Sequence, residues 1–252
     1  MKPIVKCLLY SIKILGVLVM LTGNSCQKKD DNSNPTPTSG TITDVDGNVY
    51  HTVIIGTQEW IVENLKVTHF RNGDHIPNIA DYVQWQNDTI GAYCNYNNDE
   101  NYVAIYGRLY NYYAVADTRN LCPSGWHIPT KDEWTILITY LGGYQSYAGG
   151  KMKEAGTSHW LSPNNGATNE SGFTGLPGGG RDKFGKFGQD PLIIVNNGFW
   201  WSSTRDNTGS AYNCNLCYDV YIVDNYYPRS YLAAGLSVRC VRDTNTPKNS
   251  DH

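Results

Sequence analysis

Polar and apolar residues alternate in the segment "DVDGNVYHTVIIGTQEWIVENL", which begins at Asp44. The alternation around Val49, His51 and Val53 predicts strands, and the Asp46-Gly47 pair predicts the turn of a hairpin. Two acidic residues beside a glycine also suggest a calcium loop. That interpretation fails on spacing, because an EF-hand loop needs glycine at its sixth position and glutamate at its twelfth.

The apolar spacing changes to that of a helix after residue 130. Thr130 and Glu133 have the form of a capping box, and Gly142 follows as a helix stop. A second, weaker helix is predicted at residues 148–155. The apolar positions recur at intervals of three and four residues: Trp134, Leu137, Ile138 and Leu141.

Short strands and glycine-rich loops are predicted on either side of these helices. Residues 71–120 are rich in loops, and "PSG" at 123–125 is a turn. The segments "GFWWSST", "AYNCNLCYDVYIV" and "GLSVRCVRD" are predicted strands. The three glycines at 178–180 lack the rest of a phosphate-binding motif, so they indicate a loop.

The first residues have the pattern of an export signal. Lys2 and Lys6 precede the apolar run "ILGVLVML", and small residues follow it up to Cys26. We expect residues 1–25 to be a lipoprotein signal peptide and Cys26 to be the acylated residue. The apolar run is too short to span a bilayer. The alternative to a signal peptide is a buried N-terminal helix.

The segment after Cys26 is polar and rich in Pro, Ser, Thr and Asn, which predicts a flexible tether over residues 26–43. Residues 44–243 are expected to form the domain, and residues 244–252 a disordered tail. We therefore expect an outer-membrane lipoprotein, held by its lipid anchor and exposed at the cell surface.

The charge of the chain argues against a nucleic-acid partner. The whole chain has 20 basic and 23 acidic side chains, and removal of residues 1–25 takes away three lysines and no acid, leaving a formal charge of −6. Nothing in the sequence forms a basic stripe.

No motif predicts a reaction. A nucleophile elbow is absent, and His127 has no second ligand at a metal-like spacing, so a packed or hydrogen-bonded histidine is the better interpretation. We expect no catalytic residue, no bound metal and no cofactor.

Several segments, in order, resemble the Fibrobacter succinogenes major paralogous domain: "GRLYNYYAVAD", "LCPSGWHIPTKDEW", "ATNESGFTGLPGG", "GFWWSST" and "LSVRCVRD". The resemblance covers about Asp44 to Asp243. The family in turn resembles the C-type-lectin and formylglycine-generating-enzyme (sulfatase-modifying-factor) folds. This implies an α+β domain with two helices, small twisted antiparallel sheets and long loops.

The resemblance also implies a disulfide between Cys122 and Cys240, because a cysteine before the first helix is commonly bridged to the last strand in these folds. The oxidising cell surface permits such a bond. Cys94, Cys214 and Cys217 remain, and a local disulfide or one to Cys94 is expected for the Cys214-Cys217 pair.

The formylglycine-generating oxidases offer an enzymatic alternative, in which Cys214 and Cys217 hold copper. Thiolates suit Cu(I). The oxidases, however, space their two cysteines by four residues, and this chain has two. Residues three apart in a strand also face opposite ways.

The preferred expectation is a non-catalytic binding or adhesion module for a carbohydrate or a cell-surface protein. Tryptophan and tyrosine supply stacking faces, while amides and charges set orientation. At least one of the two adjacent tryptophans should belong to the core. The lectin triplets that hold calcium are absent, so calcium-mediated sugar binding is not expected. The candidate ligand-binding residues are Trp200, Trp201, Asn213, Asn215, Asp219, Tyr226, Tyr227 and Arg229.

Overall fold

The computed structural model describes residues 40–188, 196–223 and 229–243. The expected signal peptide, Cys26, most of the tether, the tail, Tyr226 and Tyr227 lie outside these residues. No helix in the described ranges is long and apolar enough to cross a membrane.

The described chain is α+β, and neighbouring strands within each of its sheets run antiparallel. The larger sheet has five strands in the order β1-β2-β3-β10-β6. These are β1 Thr41–Thr43, β2 Val49–Ile55, β3 Gln58–Ile61, β6 Trp126–His127 and β10 Val241–Arg242. The last strand, β10, thus lies between β3 and β6 and pairs with both. The predicted turn at Gly47 is present, with φ of 82°.

The remaining strands form two smaller sheets. One is a pair, β4 Tyr93–Cys94 with β5 Leu109–Tyr110, and the other has the order β7-β8-β9. The strands of the latter are β7 Gly198–Arg205, β8 Ser210–Leu216 and β9 Arg229–Tyr231. The expected domain start at Asp44 is corrected, because residues 41–43 pair with β2 and are not part of a tether.

Both predicted helices are present, together with three short ones among the described residues. Helix α4, Lys131–Tyr140, starts at the Thr130 capping box, in which the Thr130 hydroxyl accepts from the Glu133 amide and the Glu133 carboxylate accepts from that of Thr130. Helix α5 covers Ala148–Met152 and so ends earlier than predicted. The short helices are α1 Tyr82–Asn87, α2 Val103–Tyr106 and α3 Tyr112–Val115.

The Cys122–Cys240 disulfide is present, with 6.0 Å between the Cα atoms and a sequence separation of 118. Cys122 precedes β6 and Cys240 precedes β10, and these two strands are hydrogen-bonded neighbours. The bond therefore fixes the end of the chain to the segment that leads into α4.

Three fully buried cations hold the irregular segments together. Each one donates to at least two backbone carbonyl oxygens of irregular segments, most of them distant in sequence, which satisfies backbone acceptors that no strand or helix reaches. Arg239 also donates to the side-chain oxygen of Asn64. Arg181 donates to Ile79, Ala80 and Gly185, Arg239 to Asn64, Phe173 and Thr174, and Lys153 to Asn165, Cys217 and Val220.

Candidate functional site

The two tryptophans of the expected ligand site are both core residues. Trp200 and Trp201 have no exposed surface, and their indole N–H groups donate to the side chain of Asn64 and the carbonyl of Tyr110, each at 2.7 Å. Adjacent strand residues face opposite ways, but β7 has a hydrophobic cluster on each side. The expectation that they stack on a ligand is corrected for that reason.

Of the other expected ligand residues, the side chains of Asn213, Asn215 and Asp219 lie in the described structure, and whether the set forms one surface stays a prediction. Asn213 is buried and donates to the Ser230 hydroxyl at 3.0 Å, so its role as a ligand contact is also corrected. Asn215 is partly buried. The backbone of Arg229, in β9, pairs with that of Tyr212, in β8, but the side chain of Arg229 is outside the described part. Asp219, which follows β8, is half-buried near the surface.

The three cysteines outside the disulfide are buried thiols. The expected disulfide of Cys214 with Cys217, or of one of them with Cys94, is therefore corrected. Burial raises the pKa of the Cys94 thiol to about 11 and that of Cys214 further still. Cys214 lies in an apolar cluster and Cys217 lies beyond the end of β8, and both thiols are buried.

His127 is held between two carboxylates. Its Nδ1 lies 2.5 Å from Asp243 Oδ1 and its Nε2 lies 2.8 Å from Glu133 Oε1. These contacts confirm a hydrogen-bonded histidine, and because both ring nitrogens are engaged, neither can take a proton from a substrate. Glu133 raises the pKa of His127 above its ordinary value, with Asp243 adding to the shift against the opposing effect of burial.

The surface beside Asp219 carries a stacked pair of tyrosines. The rings of Tyr147 and Tyr221 are 4.4 Å apart at their centroids and inclined by only 20°. The exposed fractions are 59% for Tyr147 and 40% for Tyr221. Stacking covers one face of each ring, so the large exposure of Tyr147 leaves its other face open to solvent.

Glycines let the segments that carry these tyrosines approach closely. A Cβ atom on Gly149 would lie 2.4 Å from the Ile222 carbonyl oxygen, and one on Gly150 would lie 2.1 Å from that of Gly166. The Gly150 amide donates to the Tyr221 carbonyl at 2.8 Å. The start of α5 is thus fixed directly against the segment after β8.

The buried side chain of Lys153 is hydrogen-bonded to the segments next to this surface. Its ammonium group donates to the carbonyls of Asn165, Cys217 and Val220 at 2.8, 3.0 and 2.9 Å. Burial lowers its pKa to about 8, while the charge of Asp219 opposes that shift. One buried cation therefore holds the loops on both sides of the tyrosine pair.

Polar groups at the rim of the pair are available for recognition. Asn165 is exposed and donates through its side-chain amide to the Asp219 carbonyl at 2.8 Å. Its side-chain oxygen makes no hydrogen bond among the described residues, and the contact with the Asp219 backbone places that residue in the adjoining segment. We name the set Tyr147, Tyr221, Asn165 and Asp219 the tyrosine platform.

A cleft of about 260 Å³ lies elsewhere, beside the disulfide. Its polar groups are already used within the protein. The Asp44 carboxylate accepts from Asn48 and Tyr50, and Arg71 donates to the carbonyls of Cys122 and Trp126. The cleft is also smaller than the roughly 300 Å³ at which ligand pockets begin. The tyrosine platform is the better candidate site.

Sequence reasoning identified Asp219 but missed the rest of the platform. Tyr147 and Tyr221 are 74 positions apart, and nothing in the local pattern of either indicates the other. The available signals were the Gly149-Gly150 pair next to Lys153 and the glycine at 166, which together mark close backbone contacts.

The family model of the Fibrobacter succinogenes major domain matches residues 53–242, which is 190 of the 252 residues. Comparison with curated proteins and with solved structures gives no significant match.

Proposed function

This chain belongs to the Fibrobacter succinogenes major domain family, and we propose that it is a surface-exposed outer-membrane lipoprotein whose domain binds carbohydrate without catalysing a reaction. The tyrosine platform is the proposed site. The observation that carries the proposal is the stacked, exposed pair Tyr147–Tyr221 beside free polar groups.

The chemistry of the platform suits a sugar better than a purely apolar ligand. An aromatic face packs against the C–H groups of a pyranose ring, while the Asn165 oxygen and the Asp219 carboxylate can accept from its hydroxyls. Stacked rings supported by a buried cation lose little conformational freedom on binding, which favours affinity.

We further propose that the fold is C-type-lectin-like. Support comes from the α+β arrangement and from the disulfide that joins the segment before α4 to the last strand. The copper-oxidase alternative, in which Cys214 and Cys217 hold copper, has no comparable support, because the spacing of the two cysteines departs from that of the oxidases.

A glycan array tests the binding proposal, followed by calorimetry with the best ligand, with and without calcium. Substitution of Tyr147 by Ala is expected to weaken binding by about fivefold or more, since an aromatic contact is worth about 1 kcal/mol or more. Tyr147→Phe should retain most of the affinity. Tyr140→Ala is the matched control, because Tyr140 is an equally exposed tyrosine on α4.

Two results would contradict the proposal: no glycan retained by the folded protein, or equal losses for Tyr147→Ala and Tyr140→Ala. Location is tested separately. Protease added to intact cells should remove the domain, and Cys26→Ala should prevent incorporation of labelled fatty acid. Protection of the domain in intact cells would refute surface exposure.

A further inference from the structure

Two histidines face each other across a tight hairpin, which precedes all residues of the tyrosine platform in the sequence. His69 and His75 are partners in an antiparallel bridge. The bridge is flanked by hydrogen bonds from the Phe70 amide to Asp74 and from the Ile76 amide to Thr68, each 2.8 Å. The two histidines therefore form a non-hydrogen-bonded pair, the type in which side chains are closest.

The separation of the two imidazole rings matches that of two ligands of one ion. Their centroids are 5.4 Å apart. A tetrahedral ion bound at about 2.1 Å by one nitrogen of each ring would place the centroids about 5 Å apart. Both side chains are accessible, and His75 is exposed with no hydrogen bond to its ring among the described residues. The ring planes are inclined by 82°, so rotation about the side-chain torsions would direct one nitrogen of each ring towards a common point.

Asp46 orients the first of these rings. Its Oδ1 lies 2.5 Å from His69 Nδ1, which holds the proton on Nδ1 and leaves the Nε2 lone pair free. The other carboxylate oxygen accepts from the Thr68 amide at 2.5 Å and from its hydroxyl at 3.1 Å. Metal-binding histidines commonly have such a carboxylate on the second nitrogen.

We propose that His69 and His75 form a binding site for a zinc-class transition-metal ion, with Asp46 as the residue that positions His69. Two imidazoles favour Zn²⁺, Ni²⁺ or Cu²⁺ over the oxygen-seeking Ca²⁺ and Mg²⁺. Among the described residues, no group of three or more His, Cys, Asp or Glu side chains is placed to hold a metal ion together. The ion would therefore keep two or more coordination positions for water or for a donor group of another molecule.

Calorimetric titration of the purified protein with ZnCl₂ tests this site. We expect saturable binding of one equivalent, and CaCl₂ should give none. His69→Gln and His75→Gln should each weaken zinc binding by about tenfold or more. Asp46→Asn retains both imidazoles and should weaken zinc binding by about 10-fold to 100-fold, because the carboxylate that orients the His69 ring is lost.

His51→Gln is the matched control. His51 also pairs with a carboxylate, that of Glu63 at 2.6 Å, but it has no second imidazole beside it. The His51→Gln variant should bind zinc with the same affinity as the unaltered protein. Ring-nitrogen NMR signals of His69 and His75 should shift together during the titration. The proposal fails if zinc does not saturate, or if the His69→Gln/His75→Gln double variant, still folded by circular dichroism, binds with unchanged affinity.

Discussion

The ammonium group of Lys153 donates a hydrogen bond of 3.0 Å to the backbone carbonyl of Cys217, a residue 64 positions further along the chain. The same group donates to two more carbonyls, so a single side chain fixes the loop at residue 165 and the segment that follows β8. This contact links the core of the domain to the proposed binding surface.

Lys153→Met is expected to destabilise the domain by about 3 kcal/mol or more, because it leaves three carbonyl acceptors without their donor. Urea unfolding measures the loss. Lys151→Met is the matched control: Lys151 lies two residues earlier and pairs only with exposed Glu170 at 3.4 Å, so its loss should cost less than about 1 kcal/mol. Similar losses for the two variants would refute the role assigned to Lys153.

The Cys122–Cys240 disulfide should dominate the stability of the domain. It closes a loop of 118 residues, for which the chain-entropy treatment gives about 4 to 5 kcal/mol. The Cys122→Ser/Cys240→Ser variant should unfold at lower urea concentration by a corresponding amount. Dithiothreitol should lower the stability of the unaltered protein to a similar degree and leave the variant unaffected. Retention of full stability after complete reduction would contradict this prediction.

The His127 cluster should make stability depend on pH. Because the pKa of His127 is raised in the folded state, its contribution is complete below about pH 6.5 and is lost as the pH rises through the raised value. Burial raises the pKa of Glu133, but bonds from His127 and Thr130 outweigh it and lower that pKa, so its contribution is lost only on acidification below about pH 4.5.

Unfolding measured from pH 4 to 9 should therefore show a contribution of less than about 1 kcal/mol that is largest near pH 5 to 6. His127→Gln should remove this component of the pH profile. An unchanged profile in that variant would show that the two ion pairs contribute nothing.

The thiols of Cys94, Cys214 and Cys217 should be unreactive in the native protein. All three are buried, and burial raises the pKa of the Cys94 and Cys214 thiols, so little thiolate is present at neutral pH. In a chain that begins after Cys26, Ellman's reagent should react slowly until guanidinium is added and then report three thiols. A count of one in guanidinium would instead indicate a second disulfide.

Local sequence was sufficient to predict α4 and the turn at Gly47, but not the three short helices and the β4–β5 pair within residues 71–120. The Thr130–Glu133 capping box and the apolar spacing that follows it predicted α4, because such a helix is specified by contacts within four residues. Resemblance to the family, and not local pattern, supplied the Cys122–Cys240 pairing. The end of α5 was predicted three residues too late, because the segment after Met152 turns away to place Lys153 among distant carbonyls.

Which aromatic residues face solvent was a question that only the tertiary structure decided. The "WW" pair was expected to contribute to a ligand surface, yet β7 is covered on both faces and both rings are buried. Tyr147 and Tyr221 lie in unremarkable local contexts and form an exposed stack only because Gly149 and Gly150 allow two remote loops to meet. Local patterns fix helices and turns, since these depend on near neighbours in sequence. The burial of a side chain depends instead on every element that packs against it, and long irregular loops bring those elements together in ways that periodicity does not encode.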